Sequence, residues 1–179
     1  MRSDIAHGPQ LSVRFGLDAP VPVGIVQKPI LRVGALGNED FAAVLIRLGD
    51  RARGAYTVSQ MSAGRKNMFT FDIYGTKSGV SWNQERPDEL WIGQRNSPNQ
   101  LILKDPSLLN PKAASYADLP GGHSEGYDDS HKQVFKRFYA KVADPAVPVE
   151  YPTFEDGLLG MQLLEKVLES SRKQAWVTV

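Results

Sequence analysis

The chain has no cysteine among its 179 residues. That absence removes disulfides, thiolate metal sites and cysteine nucleophiles together, and it agrees with a reducing cytoplasm. There is no apolar run of the roughly 18 residues that a membrane span needs. The opening Met1-Arg2-Ser3-Asp4 leads into polar residues and glycine, unlike the apolar stretch of a signal peptide. Neither sign of charge is in excess: 21 basic residues stand against 20 acidic ones, for a net charge of +1. Nothing in that balance attracts nucleic acid or an acidic membrane. Internal repeats and low-complexity segments are also missing. What is there has the texture of a soluble globular protein, 41% hydrophobic and 23% charged, with length enough for one domain core.

Residues 1–37 are rich in breakers. Pro9, Pro20, Pro22 and Pro29 interrupt every periodic pattern, and Leu11 to Phe15 is the best strand within them. The segment reads as a linker or a diverged arm. From residue 38 to residue 179 the text becomes that of a folded domain. Phe41 to Leu48 and Arg53 to Met61 predict a hairpin around Gly49-Asp50. Met68 to Tyr74 alternates with period two, placing Phe69, Phe71 and Ile73 on one face of a strand. Val80 to Gln84, Glu89 to Gln94 and Leu101 to Leu103 continue a meander. After a long connection over 105–126, helical spacing predicts one helix from Asp128 to Val142, with Asp128 four residues before Lys132. A second helix is predicted to start at the capping-box pattern Thr153-Phe154-Glu155-Asp156 and to end near Arg172-Lys173. Trp176 to Val179 reads as a returning strand. The expected class is α+β: an open-faced, mainly antiparallel sheet with helices packed on one face, the other face being free for self-association.

The densest chemistry lies in Pro120-Gly121-Gly122-His123-Ser124-Glu125-Gly126-Tyr127. Paired glycines allow positive φ and a close approach to the backbone, the helix behind them offers free N–H groups, and a histidine can exchange a proton near neutral pH. The alternative is a helix-entry loop whose histidine bonds only to backbone. His123, Glu125, Asp128, Asp129 and His131 are also metal-ligand types, but they straddle the loop-to-helix junction, and solvated helix N-terminal carboxylates account for Asp128 and Asp129 better. No metal is expected. Asp4 with His7, and Lys28-Pro29, have no structured context around them. The polar loop from Ser59 to Asn67 is either a solvated hairpin loop or one that binds hydroxyls or a phosphate, with Lys66 as its cationic candidate.

Several stretches, in order, resemble the C-terminal domain of the Gfo/Idh/MocA family, the glucose–fructose oxidoreductases and inositol dehydrogenases. They are Asn38-Glu39-Asp40-Phe41 through the Ser59–Asn67 loop, Phe71 to Gly79, Trp82 to Gly93, Pro120 to Tyr127, and Thr153 through Arg172 to Trp176-Val177. The resemblance implies a substrate site between this domain and a Rossmann domain, NAD or NADP as cofactor, a sugar or polyol as substrate, and a dimer or tetramer formed through the sheet. It implies His123 as catalytic residue, with Gly121, Gly122, Tyr127 and Lys66 binding substrate. No G-x-G-x-x-G occurs in the chain, so the nucleotide half is expected to lie elsewhere. Gln27-Lys28-Pro29 only superficially matches the family's Glu-Lys-Pro, and Asp4-x-x-His7 is one residue short of its Asp-x-x-x-His. The expectation is therefore an incomplete chain, inactive and binding no cofactor alone, that forms the substrate side of an oxidoreductase. The alternative is a stand-alone carbohydrate-binding or oligomerisation module of the same fold.

Overall fold

The structure, a computed structural model, describes residues 22–24 and 40–179; the expectations for Asp4, His7, Leu11 to Phe15 and Lys28-Pro29 lie outside them. The described elements run β1 (Pro22–Gly24), β2 (Phe41–Leu48), β3 (Ala52–Ser59), β4 (Thr70–Tyr74), β5 (Ser78–Asn83), β6 (Glu89–Gln94), β7 (Gln100–Leu103), α1 (Pro111–Ala114), α2 (Tyr127–Ala143), α3 (Phe154–Lys173) and β8 (Val177–Thr178). They fall into two compact units, one holding the described residues up to 61 together with 155–179, the other 62–154.

In the first unit the apolar run of β2 pairs with β3 from Phe41 opposite Ser59 to Leu48 opposite Ala52. Gly49 turns the chain at φ 58, a conformation that costs glycine nothing. The sheet order is β3-β2-β1-β8. Val23 pairs with Ile46 on one side and Val177 on the other, so this part of the expected arm is an inner strand. Val44 and Ile46 share a face by strand alternation, and Tyr56 lies opposite Val44. That face packs with Leu163 and Val167, one helical turn apart on α3. Val44 is 1% exposed. Ser170 is fully buried and donates from its hydroxyl to the Ala175 carbonyl at 2.6 Å, which ties the end of α3 to the return strand. The Arg47 guanidinium sits 4.0 Å above the Trp176 ring.

The second unit is the expected meander, β4-β5-β6-β7, every pair antiparallel. Its register aligns Phe71, Trp82, Leu90 and Ile102 across the four strands. Directly opposed residues share a face, so this row, with Ile73, Val80 and Ile92 beside it, makes one face apolar. Phe71 stacks on Trp82 with centroids 5.7 Å apart, and the Trp82 indole N–H donates to the Pro87 carbonyl at 3.0 Å.

The α+β class with antiparallel sheets is as the sequence predicts. Two features differ in detail. The described strands form two four-stranded ladders, one in each unit. α1 falls inside the stretch read as a plain connection; its signal is Asn110-Pro111, where the Asn110 side chain accepts from the Ala113 N–H at 2.9 Å. The apolar stripe of α2 is exposed within its unit, Phe135 at 62% and Val142 at 61%, and the buried residue of that helix is Gln133.

Candidate functional site

The connection that follows β7 is held by one lysine. Lys104, just past the end of the strand, is 14% exposed, and its ammonium reaches the Glu125 carboxylate, itself 7% exposed, at 2.6 Å. The same ammonium donates to the backbone carbonyl of His123 at 2.7 Å and to that of Leu119 at 3.4 Å. Asp88 stands 4.0 Å away as a second acidic neighbour. The other Glu125 oxygen accepts from the Asp118 N–H at 2.8 Å. Burial works to raise the Glu125 carboxyl, but Lys104 and the N–H groups of Asp118 and Leu119 outweigh it and hold the group below the ordinary carboxylate range. A cation set among three acceptors from a single loop fixes that loop's path.

The loop presents His123. Its N–H donates to the Pro120 carbonyl at 3.2 Å, closing a turn, and Gly122 within that turn has φ +79. A Cβ on Gly121 would stand 3.3 Å from the Asp105 side chain. Glycine is favoured at both positions, at Gly122 by its dihedral and at Gly121 by a close side-chain neighbour. The His123 ring is exposed, with Nδ1 3.3 Å from the Gly121 carbonyl. Such a ring can meet a hydroxyl from outside this unit and accept or donate its proton.

Tyr127, the first residue of α2, is 57% exposed. Its ring lies against His131 with centroids 4.5 Å apart, and His131 Nδ1 is 3.0 Å from the Tyr127 carbonyl. The helix start is closed by Asp129, which accepts from the Gly126 N–H at 2.9 Å and pairs with Lys132 at 2.7 Å. Lys132 also reaches Asp118 at 3.1 Å. The i,i+4 pairing expected between Asp128 and Lys132 is thus replaced by Asp129 and Asp118, since Asp129 already faces back along the helix to cap it. Lys132 and Lys136 hold the Asp118 carboxyl below its usual range, and Lys132 with the Gly126 N–H does the same for Asp129. Lys66 is exposed, in the loop before β4. His123, the two glycines and Tyr127 share one loop-to-helix junction. Lys66 belongs to another loop, before β4, and is not brought to them by any contact among the described residues.

Sequence reasoning missed Lys104. A lone lysine before Asp105-Pro106 carries no motif, and only the folded path of 118–126 brings three acceptors to it. Among the described residues no group of three or more histidine, aspartate or glutamate side chains gathers as a metal site would. Asn110 and Asp129 satisfy N–H groups at α1 and α2, while Asp128 and Asp129 in the first turn of α2, and Glu155 and Asp156 in that of α3, oppose a pyrophosphate. No helix among the described residues is long and apolar enough to cross a membrane.

The family model described as the C-terminal alpha/beta domain of an oxidoreductase family (Gfo/Idh/MocA) matches residues 12–179. A levoglucosan dehydrogenase of Pseudarthrobacter phenanthrenivorans is 24% identical over 151 residues, 82% of this chain and 37% of that protein. An oxidoreductase structure from Sinorhizobium meliloti superposes with a TM-score of 0.74 at 31% identity, covering 89% of this chain and 46% of its own. An inositol dehydrogenase homolog from Azotobacter vinelandii, solved in complex with NAD+, has the same fold, with a TM-score of 0.76 at 21% identity and 89% and 42% coverage. The chain spans 37% of the length of the curated relatives it matches.

Proposed function

We infer, because the chain belongs to the Gfo/Idh/MocA oxidoreductase family, that it forms the substrate-side domain of an NAD(P)-dependent dehydrogenase acting on a sugar or polyol. The class of substrate comes from relatives that are named for levoglucosan and inositol. The observation that carries the reading is the presentation of His123. Its turn is fixed at Gly121, Gly122 and Lys104, yet its ring is exposed. A fixed backbone under an open imidazole is how a domain offers a hydrogen-bonding group to a ligand held between it and another body.

In this reading residues 38–179 are the dehydrogenase domain. His123 orients a substrate hydroxyl and exchanges its proton, and Tyr127 beside it supplies a phenol and a ring face to the same molecule. The backbone at Gly121 and Gly122 lets the substrate come close, and Lys66 approaches it from the second loop. The sequence carries no G-x-G-x-x-G, and in this reading the hydride donor or acceptor is held by a separate Rossmann domain, so that the chain alone does not turn over. Self-association through the apolar row of Phe71, Trp82, Leu90 and Ile102 completes the assembly, in the cytoplasm.

The test is an assay of reduced-nicotinamide formation from a panel of cyclic polyols and anhydrosugars, with the chain alone and with a family Rossmann domain joined to its N-terminus. Turnover only in the joined protein supports the reading. Turnover by the chain alone, or micromolar binding of NAD or NADP to it by calorimetry, contradicts it.

A further inference from the structure

Helix α2 turns its polar side toward its own unit and its apolar side away. Lys132, Gln133, Lys136 and Arg137 recur at i, i+1, i+4 and i+5, which is one face of a helix. That face is engaged with the segment before the helix. Gln133, 7% exposed, donates to the Tyr116 carbonyl at 3.0 Å and to the Asp118 carboxylate at 3.1 Å. Lys132 and Lys136 reach the same carboxylate at 3.1 and 2.7 Å, and Arg137 donates to the Ser115 carbonyl and hydroxyl, both at 2.8 Å. The opposite face carries Val134, Phe135, Phe138, Tyr139 and Val142, each between 42% and 64% exposed. A helix on the surface of a soluble domain is ordinarily turned the other way round.

Side chains of that kind and exposure leave roughly 500 Å² of apolar surface open, a patch of the size that marks an interaction site. It falls short of the about 800 Å² per partner that a specific, freely diffusing complex buries. The patch therefore suits a body joined through the chain, whose effective concentration makes up for a small contact, better than a second copy. Its position says which body. Tyr127 stands two helical turns before Val134 and on the same face, so the stripe is continuous with the junction of His123 and Tyr127. Hydride transfer needs the nicotinamide in contact with the substrate carbon, so whatever holds the dinucleotide must border that junction.

We propose that the apolar face of α2 is the seat of the nucleotide-holding body, which covers Phe135, Phe138 and Tyr139 when it closes on the junction. The proposal rests on the dehydrogenase reading and adds to it the surface that the two halves share. The occupant meets this face with aliphatic or aromatic surface rather than with charge. From Val134 to Val142 the helix has three cations, and all are taken: Lys136 by Asp118, Arg137 by Ser115, and Lys141 by the Pro145 and Val147 carbonyls.

The chain contains no cysteine, so a single introduced thiol reports on one position. Phe135→Cys and Tyr139→Cys are made separately, with Ser97→Cys in the exposed bend between β6 and β7 as the reference. Each is made in the chain alone and in the chain joined to a family Rossmann domain free of cysteine, whose folding is checked by calorimetric binding of NAD or NADP. Reaction with a thiol reagent, relative to Ser97→Cys, is expected to be at least about tenfold slower at both α2 positions in the joined protein than in the chain alone. Equal rates in the two proteins overturn the proposal. So does protection in the chain alone that grows with its concentration, which would seat a second copy on this face. Turnover by the joined protein with both thiols open sinks the docking face and leaves the dehydrogenase reading standing; protected thiols without turnover do the reverse.

Discussion

The Lys104 ammonium lies 2.6 Å from the Glu125 carboxylate and joins the end of a sheet strand to the entrance of α2. Because the same nitrogen donates to the His123 and Leu119 carbonyls, Lys104→Met removes the donor of three bonds at once and leaves Glu125 buried without its cation. The expected loss is about 2 kcal/mol of unfolding free energy, read by urea denaturation. Faster amide exchange should be confined to residues 118–126. A variant with wild-type stability and exchange would show that the lysine only decorates the loop.

Acid should loosen the same loop before the rest of its unit. The Glu125, Asp118 and Asp129 carboxyls are all held below their usual values. Groups whose folded pKa is depressed stabilise fully above their unfolded pKa of about 4 and lose that contribution as pH falls through the folded value. Amide exchange at residues 118–130, normalised to β5, should therefore rise below about pH 4 and stay flat from about pH 5 to 8. Loosening on the alkaline side instead would point to a different set of groups.

Gly122→Ala forces a side chain into φ +79. A cost of about 1 kcal/mol is expected from the dihedral alone, since open space surrounds the added carbon. Gly122→Asn should cost less, asparagine tolerating the left-handed region. Thermal melts of the two variants settle the order; an alanine variant as stable as the parent would mean that the turn relaxes.

His123→Ala, made in the protein joined to its nucleotide domain, should lower turnover at least about tenfold, roughly 1.4 kcal/mol of transition-state stabilisation. The melting temperature should hardly move, because the ring is exposed and its Nδ1 makes only a long, 3.3 Å approach to the Gly121 carbonyl among the described residues. Equal losses of rate and of fold would return this residue to a structural role.

Self-association is expected through the sheet of the second unit. Phe69, Phe71, Ile73 and Ile102 are between 37% and 57% exposed on its apolar face. Light scattering should give a dimer or larger species, burying roughly 1,600 Å² or more in total, and Ile73→Lys should shift it toward monomer. A monomeric parent chain at high concentration would count against this face.

Strand existence was legible because period-two alternation and turn residues are local signals. Phe41–Leu48 and Glu89–Gln94 are bounded in the structure where the residues place them. Helices α2 and α3 were legible from equally local spacing, and Gly121 and Gly122 announced a turn that their dihedral and neighbour favour. What the sequence could not contain was pairing at long range. Nothing in Pro22-Val23-Gly24 says that it will sit between Ile46 and Val177, since three residues hold too little pattern to name partners so far away. Nothing in Lys104 or Gln133 marks them, for each owes its role to acceptors and donors 15 to 21 residues distant. Local spacing determined which segments would be strand, helix and turn. Only tertiary structure decided which charges meet and which buried polar atoms are left without a hydrogen bond, because those depend on how the backbone closes in space.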